Sequence, residues 1–263
     1  MQSSDRLTPV LLIVLLYFMA LPTIVAAEPA SRATRVFGEG SALGNGMVWT
    51  WVEYDAKKAP TALGFTFTET AISALSPEPP APGLENWEYA LALPRGAMVP
   101  PYTHLVLNWN PYGHVPPGVY DVPHFDFHFY IIDPEQREKI SCKGADLKKC
   151  MNKPAADFIS SAYILPPGTE MPRMGVHWID PAAPEFNRQP FTHTFIYGSY
   201  DRQVAFLETM ITRAFLESKP SVTTTIKPPA KFQKHGYYPT VYSVKYDPER
   251  REYSVAFEGL VQK

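Results

Sequence analysis

Polar and aromatic side chains alternate strictly in the run Pro123-His124-Phe125-Asp126-Phe127-His128-Phe129-Tyr130. An alternation of period two is typical of a β-strand, whose successive side chains point to opposite faces. The run therefore predicts one apolar face of phenylalanines and one face that carries two imidazoles and a carboxylate. Burying these polar groups is costly unless they are hydrogen-bonded, paired or bound to a metal ion. We expect this strand to lie at the centre of the fold and to carry the functional site.

The rest of the chain predicts a mainly β fold (β-rich α+β), an antiparallel barrel or sandwich with a few short helices. Strand-like runs separated by turn residues occupy 47–54, 62–70, 88–93, 104–109, 174–180, 191–197, 204–210, 241–246 and 252–257. Short helices are expected over 134–141, 155–163 and 211–218. The first of these is the best marked, because Asp133 and Pro134 are typical of a helix N-cap and first turn.

The first 27 residues have the layout of a cleaved secretory signal, with an apolar run from Val10 to Val25 followed by two alanines. The run is short for a membrane-spanning helix and is interrupted by Pro22. We therefore expect an exported protein, periplasmic or secreted, with residues 1–27 removed and no integral membrane segment after cleavage. Residues 28–263 would form a single β-rich domain, with the C-terminal hairpin region 221–263 as its candidate peripheral part.

The composition bounds the function classes. A formal net charge of −2 gives no basis for binding nucleic acid or an anionic membrane. Hydrophobic residues make up 45% of the chain and aromatic residues 13%, which is enough for a sizeable core and argues against disorder. A small-molecule substrate and a homo-oligomer are the partners that remain open.

Cys142 and Cys150 are the two cysteines of the chain, and they lie close together in a sequence that predicts export. Disulfides form in exported proteins, so we expect these two residues to be joined. Their spacing does not match a zinc ribbon, a thioredoxin-type motif or a haem-attachment site.

The polar face of residues 123–130 nominates a site for a divalent transition metal, with Zn, Mn, Fe, Ni and Cu all open. The candidate ligands are His124, Asp126 and His128, joined by His177 and His193 from later strands. In one geometry, the two outer histidines of the run share an ion with a distal histidine and Glu208. This geometry requires the central strand to bend or bulge, because its two histidines are four residues apart.

A second geometry places His124, Asp126 and His177 in a facial triad of two histidines and one carboxylate, which leaves positions open for Fe(II) and oxygen. Its spacing resembles the pattern of 2-oxoglutarate-dependent oxygenases, with Arg188 as the candidate carboxylate binder. An exported protein has no assured supply of 2-oxoglutarate, which counts against this interpretation.

Candidate acid and base groups near the same face are His114, Tyr120 and Glu208. Motifs for other chemistries are absent from the sequence, which has no G-x-S-x-G elbow, no H-E-x-x-H helix and no phosphate-binding G-x-x-x-x-G-K-[ST] loop. A metal site with nearby proton donors is therefore the chemistry that the sequence favours.

The run from Trp109 to Tyr130, WNPYGHVPPGVYDVPHFDFHFY, is similar to the signature of a family of exported, mainly bacterial proteins of unassigned function. The blocks 174–178 and 191–198 resemble its later parts, so that the resemblance covers roughly residues 46–216. It implies a β-rich exported fold and no particular activity. A more distant, cupin-like resemblance rests on histidines from separate strands of a β-barrel, although the cupin H-x-H…E motif is absent here.

Three functions follow from these observations. The protein is expected to be a metal-dependent enzyme acting on a small molecule, which requires an open coordination position. The alternatives are a non-catalytic metal-binding module with a closed ligand shell, and a structural or oligomeric protein whose histidines are internal hydrogen-bonding groups.

Overall fold

The computed structural model of the protein describes residues 33–78 and 86–263. In these residues the strands are β1 (Thr34–Phe37), β2 (Ser41–Leu43), β3 (Gly46–Tyr54), β4 (Pro60–Thr68), β5 (Trp87–Ala92), β6 (His104–Asn110), β7 (His124–Tyr130), β8 (Val176–Trp178), β9 (His193–Tyr200), β10 (Gln203–Thr212), β11 (Ser221–Thr225), β12 (Tyr237–Tyr238), β13 (Val241–Asp247), β14 (Glu252–Glu258) and β15 (Val261–Gln262). The α-helices there are α1 (Pro134–Glu138), α2 (Leu147–Cys150) and α3 (Arg213–Glu217).

Two antiparallel sheets form a sandwich. The first sheet has seven strands, in the order β1-β3-β4-β14-β13-β11 with β2 paired to β3, and the second has six, in the order β5-β6-β7-β10-β9-β8. Strands β12 and β15 form a separate two-stranded sheet. Neither large sheet closes on itself within the described ranges, so the predicted mainly β, antiparallel fold is confirmed as a sandwich rather than a barrel.

The phenylalanines of β7 hold the two sheets together. Phe127 meets Phe65 of β4 with ring centroids 5.1 Å apart, and Phe129 stacks on Phe257 of β14 at 3.8 Å. Burying an aromatic side chain of this size stabilises the fold by about 1.5–3 kcal/mol. Because side chains alternate along the strand, this packing turns the polar residues of β7 to the other face of the second sheet.

The C-terminal hairpin of β13 and β14 lies within the first sheet, whereas β11 of the same region is an edge strand of that sheet. Strand β14 pairs with both β4 and β13, so it has a neighbour on each side. Its Val255 and Phe257, with Val244 of β13, belong to the main hydrophobic core. The alternation of apolar residues that marks this hairpin in the sequence is therefore the alternation of a core strand.

Helix α1 confirms the predicted helix after Asp133, whose side chain accepts a hydrogen bond from the backbone N–H of Gln136. The helix expected over 155–163 is wrong, since only Ala156–Phe158 forms a short 3₁₀ turn. The chain is extended again at Ile159, which lets that side chain and Tyr163 reach the core.

The helix expected over 211–218 is shorter in the structure, Arg213–Glu217. Ile211 and Thr212 continue strand β10, and the Thr212 side chain accepts a hydrogen bond from the backbone N–H of Phe215. Buried strand pairing with β7 therefore extends further along the chain than the local helical pattern indicates.

Cys142 and Cys150 form the predicted disulfide. The described residues, 33–78 and 86–263, belong to one compact unit by their internal contacts. The predicted signal, residues 1–27, lies outside the described residues. Across the ranges that the structure does describe, no helix has both the length and the apolar character needed to cross a membrane.

Candidate metal centre

The outer face of the second sheet, away from the sandwich core, carries the polar residues of β7. His124, Asp126 and His128 are almost completely buried there, at 0%, 3% and 0% exposure. The antiparallel register with β10 places Glu208 opposite His128 and Met210 opposite Asp126. Charged and imidazole groups are thus held in a buried layer outside the main core.

Two groups of side chains converge on this face. We call His114, His124 and Asp126 the His114 triad, and His128, His177 and Glu208 the His177 triad. Within each triad the three ligand-type atoms lie within 4.8 Å of one another, which is close enough to hold one ion. Each combines two imidazoles with one carboxylate, a set that suits Zn, Fe, Mn, Ni or Cu.

The His177 triad joins three strands. Glu208 Oε2 lies 3.3 Å from His128 Nε2 and 3.9 Å from His177 Nε2. His177 reaches the site from β8, the edge strand, where it is paired with Gly198. A Cβ at Gly198 would lie 2.1 Å from the Phe206 ring, so glycine is required for that ring to lie beside both histidines.

Several polar atoms of the His177 triad lack partners. Among the described residues, neither ring nitrogen of His128 nor Oε2 of Glu208 has a hydrogen-bond partner, although all three atoms are buried. The Nδ1–H of His177 donates to the Thr169 carbonyl at 2.8 Å, because a carbonyl can only accept. In the neutral ring the Nε2 lone pair then faces Glu208, as in a metal-ligating histidine.

The His114 triad is built from the loop before β7 and from β7 itself. Asp126 Oδ1 lies 3.2 Å from His124 Nε2, and Asp126 Oδ2 lies 3.7 Å from His114 Nε2. Asn110 of β6 donates from Nδ2 to Asp126 Oδ2 at 2.8 Å. The Nδ1 atoms of the two histidines lie 2.7–2.8 Å from the backbone carbonyls of Val122 and Val115, to which each donates its Nδ1–H.

Electrostatics separate the two triads. Burial by itself lowers the pKa of His114, but the interaction with the nearby Asp126 carboxylate outweighs burial and raises that pKa to about 9. Burial alone would raise the pKa of Asp126, but the close approach of His124 and His114 holds it well below its usual range. In the other triad, burial lowers the pKa of His177, and the opposing charge of Glu208 does not reverse this.

A cavity of about 240 Å³ connects the two triads. Asp126 and Glu208 are at its buried floor, and His114 and His177 line its walls. Its exposed rim is formed by the loops that contain Val115-Pro116 and Pro167-Gly168. A small molecule entering between these loops would meet both triads.

The structure divides the predicted ligand set. His128, His177 and Glu208 come together, whereas His124 and Asp126 lie with His114. Strand β7 has no bulge in its register with β6 or β10, so its two histidines stay in separate groups. The first predicted geometry needed them to converge on one ion, and the structure does not bring them together.

The predicted facial triad is divided in the same way, because His177 lies with His128 rather than with His124 and Asp126. Arg188, the candidate carboxylate binder of that geometry, is exposed and does not line the cavity.

His193 lies apart from both triads, on the face of β9 that packs into the sandwich. Its Nδ1 is 2.8 Å from the Tyr242 hydroxyl, and its ring lies 4.8 Å from the Phe215 ring. Period two explains this placement, because His193 shares a face with Phe195 and Tyr197, which are core residues.

The predicted acid–base residues all line the cavity. Tyr120 packs edge-on to His114 with ring centroids 5.9 Å apart, and its hydroxyl donates to Glu185 Oε1 at 3.1 Å. Burial and the neighbouring Glu185 raise the pKa of Tyr120, which keeps its hydroxyl protonated.

Sequence reasoning missed Asn110 and Glu185. Asn110 had a signal, because Asn108 and Asn110 alternate with Leu107 and Trp109 on a strand, which places polar side chains on one face. Glu185 lies in a short 3₁₀ helix, Pro184–Phe186, and no local pattern connects it with Tyr120, 65 residues earlier.

Comparisons with known proteins add a family likeness and no activity. Residues 55–109 match a family model described as TTHB210-like, hypothetical protein TTHB210. The match covers less than half of the 263 residues and contains no member of either triad. No curated protein and no solved structure matches the chain. The run from Trp109 to Tyr130 begins where the matched stretch ends. Its resemblance to a family signature therefore stays a prediction.

Proposed function

We propose that this protein binds a divalent transition metal ion at the His177 triad and is a metal-dependent enzyme acting on a small molecule in the adjoining cavity. The observation that carries the proposal is the set of buried, unpartnered atoms of His128 and Glu208 that face one another. Leaving such atoms unpaired costs roughly 1–3 kcal/mol each, and an ion between them would satisfy them together.

The ligand set favours a catalytic metal over a purely structural one. Three protein ligands would leave at least one coordination position open, and two of the three, His177 and Glu208, line the cavity. Such an ion supplies Lewis-acid chemistry or lowers the pKa of a bound water. The Thr169 carbonyl accepts a hydrogen bond from His177 Nδ1–H and so orients the ring, as supporting groups usually do for metal-ligating histidines.

His114 is suited to act as the proton donor of this enzyme. It lines the cavity, its side chain is 25% exposed, and Asp126 holds it in place from the floor. With a pKa raised to about 9 it carries a proton at neutral pH. Tyr120 contributes a wall beside it, with its hydroxyl directed to Glu185.

Metal analysis tests the proposal. The purified chain from residue 28, reconstituted separately with Zn, Mn, Fe, Ni and Cu and then dialysed, should retain about one ion of at least one metal by inductively coupled plasma mass spectrometry. His177→Ala should lose that ion. His193→Ala is the matched control, because its ring lies on the opposite face of the same sheet, and it should retain the metal. No retained ion in the unmodified chain would refute the proposal and favour the structural alternative.

A second candidate is a two-ion site, favoured by the unpartnered Nε2 of His124 and Oδ1 of Asp126 in the described structure. It predicts two retained ions per chain, with one lost in His124→Ala. The alternative of a non-catalytic metal-binding module predicts a retained ion that no small ligand in the cavity can reach.

Export is part of the proposal, supported by the signal-like residues 1–27 and by the Cys142–Cys150 disulfide. Full-length protein expressed in a bacterium should be recovered outside the cytoplasm with a mature N-terminus at Glu28. Recovery in the cytoplasm with Met1 intact would contradict it.

A further inference from the structure

We propose that the cavity selects a small, uncharged and largely apolar molecule that carries one metal-coordinating oxygen group. This inference rests on the proposed function, since the oxygen group would be held by the ion at the His177 triad. The inference adds a recognition surface for the rest of the ligand, formed by the apolar lining of the cavity.

Outside the triads the lining is mostly apolar, with Asn86 and Thr169 as polar exceptions and Tyr120 as a partly polar one. Six apolar side chains line the cavity, Met171, Met174, Ile179, Phe186, Ile196 and Met210. Two of the three methionines are nearly inaccessible, Met210 at 1% and Met174 at 7%. Apolar walls with a few convergent polar groups at one end are typical of small-molecule sites, in which the polar end sets orientation.

Charge in the cavity argues against an anionic body. In the part of the chain that the structure describes, no lysine or arginine lines the cavity, whereas Asp126 and Glu208 are at its floor. Recognition of phosphate or carboxylate groups normally uses arginine or lysine. The protonated His114 in the lining is already paired with Asp126. A negatively charged substituent far from the metal would therefore lose its hydration without gaining an unpaired cation.

The volume limits the size of the ligand. An engineered cavity of about 150 Å³ with aliphatic and aromatic walls holds one benzene molecule. The present cavity, at about 240 Å³, is larger by a few atoms. The rim prolines Pro116 and Pro167 make both entrance loops stiff, so that a much larger molecule has little room to enter.

Three hydroxamates test the inference by calorimetry on the metal-loaded protein. Acetohydroxamate supplies the metal-binding head alone, benzohydroxamate adds one ring, and 4-carboxybenzohydroxamate adds a charge at the far end of that ring. We expect benzohydroxamate to bind at least ~10-fold more tightly than acetohydroxamate, because its ring is buried against the walls. The carboxylated probe should lose most of that gain.

Two variants keep the test specific. Phe186→Ala should remove most of the preference for benzohydroxamate without changing metal content, whereas Phe232→Ala, a half-buried phenylalanine outside this cavity, should leave the preference intact. Val115→Asp, at a rim position that is 53% exposed, should weaken the binding of benzohydroxamate and of 4-carboxybenzohydroxamate.

The outcomes separate the two proposals. Equal affinity for the acetyl and benzoyl probes, with metal retained, would overturn the apolar recognition surface and leave the metal site standing. A preference unchanged in Phe186→Ala would also overturn it. Absence of both metal and hydroxamate binding would instead refute the proposed function.

Discussion

The His114 triad and the His177 triad are joined through Asp126 and His128, two residues apart on β7, and each contains two imidazoles and one carboxylate. In the His114 triad, Asp126 is shared by two imidazoles and by the Asn110 amide, which favours charged partners. In the His177 triad, no described residue donates a hydrogen bond to Glu208 Oε2, and burial favours an uncharged His177. The same ligand types therefore favour a protonated histidine in the His114 triad. In the His177 triad they favour a neutral histidine, the form that can ligate a metal ion.

The largest expected effect separates the triads by metal affinity. His128→Ala should lower zinc affinity by about 100-fold or more, because it removes a direct ligand, and a supporting residue alone is typically worth 10–100-fold. His124→Ala should have a clearly smaller effect. Competition with a chelating dye measures both values. Equal losses in the two variants would show that both triads hold the ion or ions.

Removing the disulfide should affect mainly the His177 triad. Cys142 and Cys150 pack with Met174, Val176 and Phe206, which lead to or support His177. The double variant Cys142→Ser, Cys150→Ser should lower the free energy of unfolding by about 2–3 kcal/mol, as for a short closed loop. Urea denaturation measures this loss.

Zinc affinity should fall in that double variant, while the pKa of His114 should stay unchanged. If the shift in the His114 pKa, expressed as a free energy, is as large as the loss in zinc binding free energy, the two triads are not separately supported.

The pH dependence of stability should report the His114 triad. Because the folded pKa of His114 is raised to about 9 from an ordinary 6.5, its stabilisation is fully present below pH 6.5 and is lost as the pH rises through 9. We expect a loss of about 2 kcal/mol in the metal-free protein across this window. Urea titrations at pH 6.5 and 9.5 measure it.

Asp126→Asn should flatten that pH dependence, because it removes the charge that raises the pKa of His114. Glu249→Gln, at an exposed carboxylate, is the control and should leave the slope as it is. A slope that persists in Asp126→Asn would assign it to another group.

The smallest expected effect concerns Asn110. Asn110→Ala removes the donor to Asp126 Oδ2 and should cost about 1 kcal/mol of stability. The less stabilised carboxylate should then raise the pKa of His114 further, as measured by imidazole NMR. Asn108→Ala, on the same face of β6 but bonded to Asn86, should leave that pKa unchanged. Equal pKa changes in both variants would indicate a general loosening of β6.

Local pattern was sufficient for the longer strands and for the two faces of β7, whereas the short strands β1, β2, β11, β12 and β15 were not predicted. The alternation over 123–130 predicts which residues enter the core, because side chains on a strand must alternate. The N-cap at Asp133 and the disulfide were also visible in the sequence. The predicted helix over 155–163 is wrong because Ile159 and Tyr163 are drawn into the core by contacts distant in the chain, which local pattern does not show.

The grouping of the site residues depended on register and loop placement. Sequence alone determined that β7 carries two histidines and an aspartate on one buried face and phenylalanines on the other, since period two is a property of the strand itself. Tertiary structure decided that His128 meets Glu208 and His177, that His124 and Asp126 meet His114, and that His193 faces the core. Those pairings follow from which strands are neighbours and where a loop folds back, and neither is encoded in local spacing.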